Sequence, residues 1–592
     1  MPIETKICRS CSTAFILELD DFEFYQKMKV APPRVCPDCQ LQRRLAYRNE
    51  RTLYSRKDES TGKPLISIFS PDKPMSVYAQ DTWWGDSWDP MDYGQEYDFS
   101  RSFFEQFREL ILRTPWPTLI NINGTNSEYC NYTSYCKDCY LVFGGDYNEN
   151  CAYASFSMHT KDSMEMYFVE KSELCYELSD SKDCYRVLFS HYATNCSDSM
   201  FLYTCNNCVN CLGCVNLMNE QYCILNVQYT KDEYEKRVNT LNLEKRENLD
   251  NFRKKFEEFE LTQPHKYAAI SNSEGSTGDN LSHAKNCINC FDVYEGAEDC
   301  KNLFLAGWNL KDSRNCSTTG FNSELIYDTL GIFHGCSKIR HSYFCSGSFD
   351  LWYCLMCKSS NNLFGCFGLR NKSFCILNKQ YSEKEYNVVL PKIIQHMADM
   401  PYTGNDGYDY IFGDYFPIEC SPFAYNESVA QCYFPLTKDD ALARGYNWKE
   451  EDTQVKAITA RSIELPSSIA DVQDSVLMAI IGCEHEGSCL EQCTRAYRIT
   501  PHELEFYRRM SIPLPQLCPN CRHYQRMKRR NPITLWSRQC NCVGTQSSNG
   551  LYSNDVPHAH GDTPCSNTFE TSYAPDRPEI VYCEQCYQTE VV

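Results

Sequence analysis

The sequence lacks several features that would mark an exported, membrane-spanning or common enzymatic protein. Its longest apolar run, around Val476 to Ile481, is far too short to cross a bilayer. The chain opens with MPIETKICRS and shows no secretion signal. It has no glycine-rich phosphate loop, no HExxH motif and no GxSxG motif, and it contains only 12 histidines. We therefore expect a cytoplasmic protein that is not an enzyme.

Positive charge is also scarce over the chain as a whole. The 592 residues carry a net charge of −20, which argues against a protein that coats nucleic acid along its whole length. Hydrophobic residues make up 42% of the chain and aromatic residues 14%, so the chain can bury several cores. A chain of this length predicts about three to five domains.

Cysteine, in contrast, is abundant, with 38 copies. Thiols stay reduced in the cytosol, where disulfides are rare. Reduced cysteines serve either as metal ligands or as small buried hydrophobic residues. The sequence indicates both uses, in different regions.

The two ends of the chain repeat one cysteine module. An offset of 482 aligns Cys11–Leu53 with Cys493–Leu535 without a gap, while Cys489 lies one place off the alignment. Two short-spaced cysteine pairs separated by about 20 residues are typical of tetrahedral zinc sites. The predicted ligands of the two modules are Cys8, Cys11, Cys36 and Cys39, and Cys489, Cys493, Cys518 and Cys521.

A third zinc site is predicted near the C-terminus, where Cys583 and Cys586 form another short-spaced pair. Its other two ligands are expected to be Cys540 or Cys542 together with Cys565, and His558 and His560 remain alternatives. Cys483 and His485 are interpreted as bystanders. The sequence therefore predicts two to three Zn²⁺ ions per chain.

The middle of the chain contains a second duplication. SELCYE at 172–177 matches SELIYD at 323–328, and cysteines recur about every 21 residues within each copy. Short β-rich stretches at this period predict a mainly β fold: a duplicated parallel β-solenoid with flanking helices and a zinc ribbon at each end. Asp or Asn beside the cysteines is expected at the corners between strands, at Asp183, Asn195, Asn286 and Asp299.

Helix signals and composition complete the domain prediction. Thr230 with Glu233, and Ser382 with Glu385, form capping boxes that predict a helix after each repeat. Two aromatic-rich stretches are predicted to wrap the core as extended segments. The predicted segments are zinc ribbon 1–57, wrapping segment 58–125, repeat 126–228, helical connector 229–277, repeat 278–381, helix and wrapping segment 382–448, linker 449–482, zinc ribbon 483–538 and C-terminal zinc segment 539–592.

Four cysteines in the first repeat, Cys205, Cys208, Cys211 and Cys214, stand three residues apart. The spacing is close to an iron–sulfur motif, but the ferredoxin run has three residues before its fourth cysteine and a proline after it. Here the gap is two and the next residue is Val215. A ladder of reduced, buried thiols is the favoured interpretation.

Four stretches resemble a family of uncharacterised zinc-ribbon proteins of small-genome, uncultured bacteria. They read FYQKMKVAPPRVCPDCQLQRR, CNNCVNCLGCVNLMNEQYCILNVQYTKDEY, SPFAYNESVAQCYFPLTKDDALARGYNWKEED and PDRPEIVYCEQCYQTEVV. The resemblance supports the architecture of end modules around a cysteine-rich repeat region, and it implies no activity. The sequence departs from an exact duplication in two places: one extra residue lies between Cys489 and Cys493, and Asp58 stands at the position that matches Cys540.

The end modules are basic within an acidic chain, at +4 for 1–57 and +5 for 483–538. The candidate contact residues are Arg44, Arg48, Arg522, Arg526, Arg529 and Arg530. We expect a non-enzymatic zinc-binding scaffold whose ribbons bind a protein partner or the chain's own acidic body. The first alternative is nucleic-acid binding through these arginines. The second is a β-helix carbohydrate-active enzyme using Asp86, Asp89, Asp92 and Asp98 beside Trp83, Trp84 and Trp88.

Overall fold

The structure, a computed structural model, describes residues 4–450 and 457–591 and forms two compact units. The first comprises Met1–Leu119, Ala268–Lys449 and Ile533–Leu535, and the second Ile120–Tyr267, Glu450–Pro532 and Trp536–Val592. The N-terminal cysteine module thus shares a unit with the second repeat, and the C-terminal module shares one with the first. Residues 451–456 of the predicted linker lie outside the described residues.

The predicted fold class is wrong. The chain is mixed α/β, with helices that pack on several parallel sheets, and a mainly β duplicated solenoid with a coil near 21 residues does not describe it. Within the large parallel sheet of the second unit, paired residues of neighbouring strands are 12 apart, as in Tyr176 with Leu188. Within the large sheet of the first unit the offset varies between 11 and 13.

The 21-residue spacing misled because cysteine is not the only residue type in the buried columns. Cys130, Val142, Ala154, Met166 and Leu178 follow one another at steps of 12, and each is fully buried. Backbone bridges join Asn131 to Phe143 and Ser155 to Tyr167 at the same step. A column that accepts any small or apolar side chain does not carry cysteine at every step. The spacing of the cysteines therefore does not reveal the step of 12 between strands.

The first unit is built on one sheet that has fifteen strands among the described residues. Its pairing is parallel except for the final hairpin. The strands are Ile270–Ser271, Gly278–Ser282, Ala284–Lys285, Cys290–Tyr294, Ala297–Glu298, Lys301–Gly307, Leu310–Lys311, Arg314–Ser317, Glu324–Phe333, Ser337–Arg340, Tyr343–Ser346, Phe349–Trp352, Asn361–Phe364, Ser373–Ile376 and Lys379–Gln380.

The second unit is built on a seven-stranded sheet of the same kind, again closed by an antiparallel hairpin. Its strands are Met164–Glu170, Tyr176–Lys182, Tyr185–His191, Ser197–Tyr203, Leu212–Val215, Cys223–Ile224 and Val227–Gln228. Short strands outside the two sheets are Glu4–Ile7, Ala14–Leu17, Tyr54–Lys57, Pro64–Ser67, Val77–Tyr78, Trp116–Pro117, Asn121–Ile122, Thr133–Ser134, Pro264–Lys266, Tyr402–Thr403, Asp409–Tyr410, Ala460–Arg461, Ile481–Gly482, Ala496–Tyr497, Trp536–Gln539, Thr568–Thr571 and Ile580–Tyr582.

Left-handed residues recur throughout both repeats. In the second unit many stand three residues apart, for example Tyr147, Asn150 and Tyr153. The predicted corner residues Asp183, Asn195, Asn286 and Asp299 all have φ between 51° and 54°, so their placement at bends is confirmed. Asn and Asp tolerate this conformation better than most residues because their short side chains bond locally.

Both predicted capping boxes are confirmed, at Thr230 with Glu233 and at Ser382 with Glu385. The wrapping segment 58–125 is not wholly extended, because an amphipathic helix, Phe103–Arg113, buries Phe103, Phe104 and Phe107. The α-helices are Leu19–Met28, Pro37–Leu45, Gln80–Trp84, Phe103–Arg113, Lys231–Leu241, Arg246–Glu260, Glu383–Asp399, Ala430–Tyr433, Lys438–Ala443, Pro501–Met510, Pro519–Lys528 and Glu584–Val591. Within the described residues, none of them combines the length and the apolar character needed to cross a membrane.

Candidate metal centres

The first module brings together its four predicted ligands. The sulfur atoms of Cys8, Cys11, Cys36 and Cys39 all lie within 4.8 Å of one another. The antiparallel strands Glu4–Ile7 and Ala14–Leu17 carry the first pair on the turn between them. Cys36 caps the helix Pro37–Leu45, whose proline suits the first helical position, and Cys39 lies in its first turn.

One hydrogen bond fixes how the two halves of this module meet. The backbone N–H of Cys36 donates to the Cys8 sulfur at 3.2 Å. The Cys11 sulfur lies 3.7 Å from the Cys36 sulfur. Burial opposes ionisation of Cys11, yet hydrogen bonds from Thr13 lower its pKa to about 7. Cys11 therefore ionises readily, whereas burial raises the pKa of Cys8.

The second module differs from the prediction in one ligand. The sulfur atoms grouped within 4.8 Å are those of Cys483, Cys493, Cys518 and Cys521, and Cys489 is not in this group. The Cys518 N–H donates to the Cys483 sulfur at 3.3 Å, as Cys36 does to Cys8. Cys483, interpreted from the sequence as a bystander, thus occupies the place of Cys8 at the start of a longer loop.

Cys489 lies in a neighbouring group with His485, Glu491 and Cys521. Its sulfur is 3.7 Å from that of Cys521. The alignment of the two ends pointed to Cys489 because, at the offset of 482, Cys489 lies one place from the position that matches Cys8. In the structure, strand Ile481–Gly482 pairs with Ala496–Tyr497 as Glu4–Ile7 pairs with Ala14–Leu17, so Cys483 follows its strand as Cys8 does.

The third group forms from the predicted residues Cys540, Cys565, Cys583 and Cys586, all buried. The Cys583 N–H donates to the Cys540 sulfur at 3.2 Å, the same contact as in the other two modules. The pair Cys583 and Cys586 stands at the start of the helix Glu584–Val591. Cys542, His558 and His560 belong to a second group, which shares Cys586 with this one.

The chemistry of the donor set fits a divalent metal ion. In the second module, hydrogen bonds from Cys483 and Cys493 lower the pKa of Cys518, while those two residues raise the pKa of Cys521. Sulfurs this close cannot all ionise, because neighbouring thiolates repel one another. A cation among them removes this conflict. Among the residues that the structure describes, these three groups of four cysteines can therefore bind metal.

The sulfur atoms of the repeat cysteines have other partners. Cys205 donates to the Tyr203 and Cys214 carbonyl oxygens, at 3.6 and 3.4 Å. Cys196 donates to the carbonyls of Thr194 and Cys205. Burial raises the pKa of Cys184 and of Cys336 to about 11. At Cys184, Cys196, Cys205 and Cys336 these features are typical of protonated thiols that fill a core.

Of the two predicted contact arginines of the first module, Arg44 faces the sheet of its own unit and Arg48 pairs within the module. Arg44 is 1% exposed, and its Nη1 lies 2.7 Å from Oδ1 of Asp328, on strand Glu324–Phe333. Burial alone would raise the pKa of Asp328, but His341 and Arg44 lower it. Arg48 is also buried, with its Nε 2.6 Å from Oε1 of Glu50.

The second module repeats this arrangement. Arg526, the counterpart of Arg44, is 1% exposed and forms an ion pair with the buried Glu165. Arg522 lies 2.7 Å from the same carboxylate. Arg530 Nε is 2.9 Å from Asp180.

Arg529 lies 4.0 Å from Glu177, and it is the most exposed of the four predicted contact arginines of this module. Burial opposes ionisation of Glu177, yet Arg253 and Arg529 lower its pKa to about 2. Each of the six candidate arginines therefore has an acidic neighbour within its own unit. The carboxylates were missed in the sequence, where Asp328 is 284 residues from Arg44 and Glu165 is 361 from Arg526.

Trp83, Asp89 and Asp98, which belong to the enzyme alternative, have structural contacts. Trp83 is fully buried, and the Arg370 guanidinium lies 4.9 Å from its ring centroid. Asp89 accepts a hydrogen bond from the Met91 N–H, and Asp98 accepts one from the Ser100 N–H. These contacts are those of turns and caps.

Comparisons with known proteins add little to this geometry. No protein family model and no curated protein matches the sequence. A solved structure that matches in part is described as "putative acetyltransferase from Desulfovibrio desulfuricans G20". It is 8% identical, and the match covers 50% of this chain and 85% of that one, with a TM-score of 0.09. A score this low carries no argument about fold or activity.

Proposed function

We propose that this chain is a non-enzymatic, zinc-binding scaffold protein in which each end module clamps the parallel sheet of its own unit. Zn²⁺ is the ion proposed for the three tetracysteine groups, because four thiolates are its usual structural ligands. Each group is expected to hold one ion.

The proposal rests on two buried ion pairs, Arg44 with Asp328 and Arg526 with Glu165. The internal duplication aligns the two arginines, and each engages a carboxylate on a strand of its own unit. Buried guanidinium groups are costly unless paired, so such contacts favour one defined position of the module. An arginine held in this way does not reach a phosphate in solution.

Apolar packing supports the same proposal. Phe24 and Tyr25 of the first module contact the ring of Tyr327, beside Asp328. Phe506 and Tyr507 of the second module contact the ring of Tyr176. Each module therefore shares a hydrophobic core with its sheet, whereas a freely moving binding head would have a core of its own.

Nucleic-acid binding is the weaker proposal, because the arginines that would carry it are mostly buried against carboxylates. A protein partner stays a prediction, and it is expected on surfaces other than these arginines. The absence of enzymatic activity is part of the proposal, and it is supported by the structural contacts of Asp89, Asp98 and Trp83.

Hydrogen exchange of the full-length protein, with and without a zinc chelator, tests the clamp. Metal removal is expected to speed amide exchange in the modules and also in strands Glu324–Phe333 and Met164–Glu170, which carry Asp328 and Glu165. Strand Ser373–Ile376 is the internal control. Faster exchange confined to the modules would contradict the proposal and would favour independent binding heads.

A further inference from the structure

A second group of possible metal ligands adjoins the C-terminal tetracysteine group. Ligand atoms of Cys542, His558, His560 and Cys586 all lie within 4.8 Å of one another. Cys586 belongs to both groups. Cys542 and His558 are buried, and His560 is partly exposed.

His558 has the surroundings of a metal-ligating histidine. Its Nε2 lies 3.3 Å from Oε2 of Glu590, which also accepts hydrogen bonds from the Tyr552 hydroxyl and the Asp555 N–H. Its Nδ1 is buried and has no hydrogen-bond partner among the described residues. An unpaired buried nitrogen costs stability, whereas a metal ligand of this type usually holds its second nitrogen against a carboxylate.

His560 is oriented in the complementary way. Its Nδ1 lies 2.6 Å from the Thr563 carbonyl oxygen, which can only accept, so Nδ1 carries the proton. Nε2 of the neutral ring then carries a lone pair that can bind a metal ion, and it lies 3.5 Å from the Cys586 sulfur.

Cys542 supplies the remaining ligand. It is fully buried, and its sulfur accepts a hydrogen bond from the Asn554 side-chain amide at 3.3 Å. Asn554 is held in turn by the Tyr582 hydroxyl, which donates to its Oδ1.

We propose that Cys542, His558, His560 and Cys586 bind a second Zn²⁺ ion, and that the Cys586 thiolate bridges it to the ion in the tetracysteine group. This inference rests on the proposed function, which supplies the first ion. One Zn²⁺ offsets only two of the four charges of a tetrathiolate group. The second ion adds two positive charges and one thiolate, because both histidines bind in the neutral form, so the paired site carries less net charge.

Zinc content of the full-length protein tests the site. His560→Gln is expected to hold one zinc per chain fewer than the wild type, and His560 is the variant of choice because it is the least buried ligand. His283→Gln, at an exposed histidine outside the groups described above, is the matched control and should keep the wild-type content. Equal zinc in His560→Gln and wild type would overturn the proposal.

Cobalt substitution tests the bridge without a variant. Two Co²⁺ ions that share a thiolate couple magnetically, so the wild type should show a weaker paramagnetic resonance signal per cobalt than His560→Gln. The same signal per cobalt in both would overturn the bridge. If His560→Gln fails to fold, Cys542→Ser takes its place. Wild-type protein with three zinc ions would refute this inference alone, whereas protein with less than one would refute the proposed function.

Discussion

Arg44 and Asp328 form an ion pair that joins the first cysteine module to the sheet of its unit, with both side chains no more than 5% exposed. Arg526 and Glu165 form the corresponding pair in the second unit. Their burial makes these pairs sensitive to the loss of one partner, because the remaining charge cannot be solvated.

Arg44→Gln is therefore expected to lower the free energy of unfolding of its unit by about 3–5 kcal/mol. Arg9→Gln, at an exposed arginine of the same module, is the control and should change it by less than about 0.5 kcal/mol. The double variant Arg44→Gln with Asp328→Asn should recover part of the loss. Chemical denaturation of the three variants measures these differences, and an Arg44→Gln protein as stable as Arg9→Gln would refute the role of the pair.

The full-length protein is expected to bind RNA and DNA weakly, with little dependence on salt. Four phosphate contacts by Arg522, Arg526, Arg529 and Arg530 would instead give a log–log salt slope of about −2.8 to −3.6. Titration of a labelled single-stranded RNA at several salt concentrations distinguishes weak, salt-insensitive binding from binding through four phosphate contacts. Tight binding with the steep slope would favour the nucleic-acid alternative.

The second module offers a matched pair of cysteines for testing its ligand set. Cys483→Ser is expected to remove one zinc per chain, and Cys489→Ser is expected to remove none, because only Cys483 lies in the tetracysteine group. Elemental analysis of the two variants decides between them. The reverse result would restore the ligand set predicted from the sequence.

The repeat cysteines are expected to be structural. Cys196→Ala and Cys345→Ala should leave the zinc content unchanged and should each cost about 1–2 kcal/mol of stability, the scale for a small buried side chain. Denaturation and elemental analysis measure both quantities. Loss of a full zinc equivalent from either variant would show that these thiols bind metal.

The repeats should also lose stability at alkaline pH. Burial raises the pKa of Cys184 and Cys336 from 9.0 to about 11, so the folded state holds their protons more tightly than the unfolded state. Their contribution is complete below pH 9.0 and falls as the pH rises towards about 11, by at most about 1.4 kcal/mol per pKa unit for each thiol.

Denaturation midpoints across this range, compared between wild type and Cys184→Ala, measure the effect. The variant should show a shallower decline than the wild type. Identical declines would mean that Cys184 does not titrate differently in the two states.

The sequence predicted local features well and distant contacts poorly. The grouping of Cys36 with Cys39 and of Cys518 with Cys521 could be predicted, because a short turn and a helix start bring each pair together whatever the rest of the chain does. Cys483 could not, because its loop is longer than the one at Cys8. The strand register was misjudged because Val142 and Ala154 occupy the same buried column as Cys130.

The contacts on which the proposed function rests could not be predicted from the sequence. No local pattern couples Arg526 to a carboxylate 361 residues away, and the chain offers many acidic residues to choose from. The pairing of His558 and His560 with Cys586 also depends on tertiary structure, since the sequence left these residues as alternatives for one site.

The constant step of 12 between paired residues of parallel strands in the large sheet of the second unit constrains how this region can change in length. Inserting one residue within Met164–Val215 would shift every later side chain by one place, turning buried thiols outward and surface carboxylates inward. Inserting twelve residues would instead add one whole step and keep every later side chain on the same face. Lengthening of this region that keeps its buried columns intact is therefore expected in steps of twelve residues.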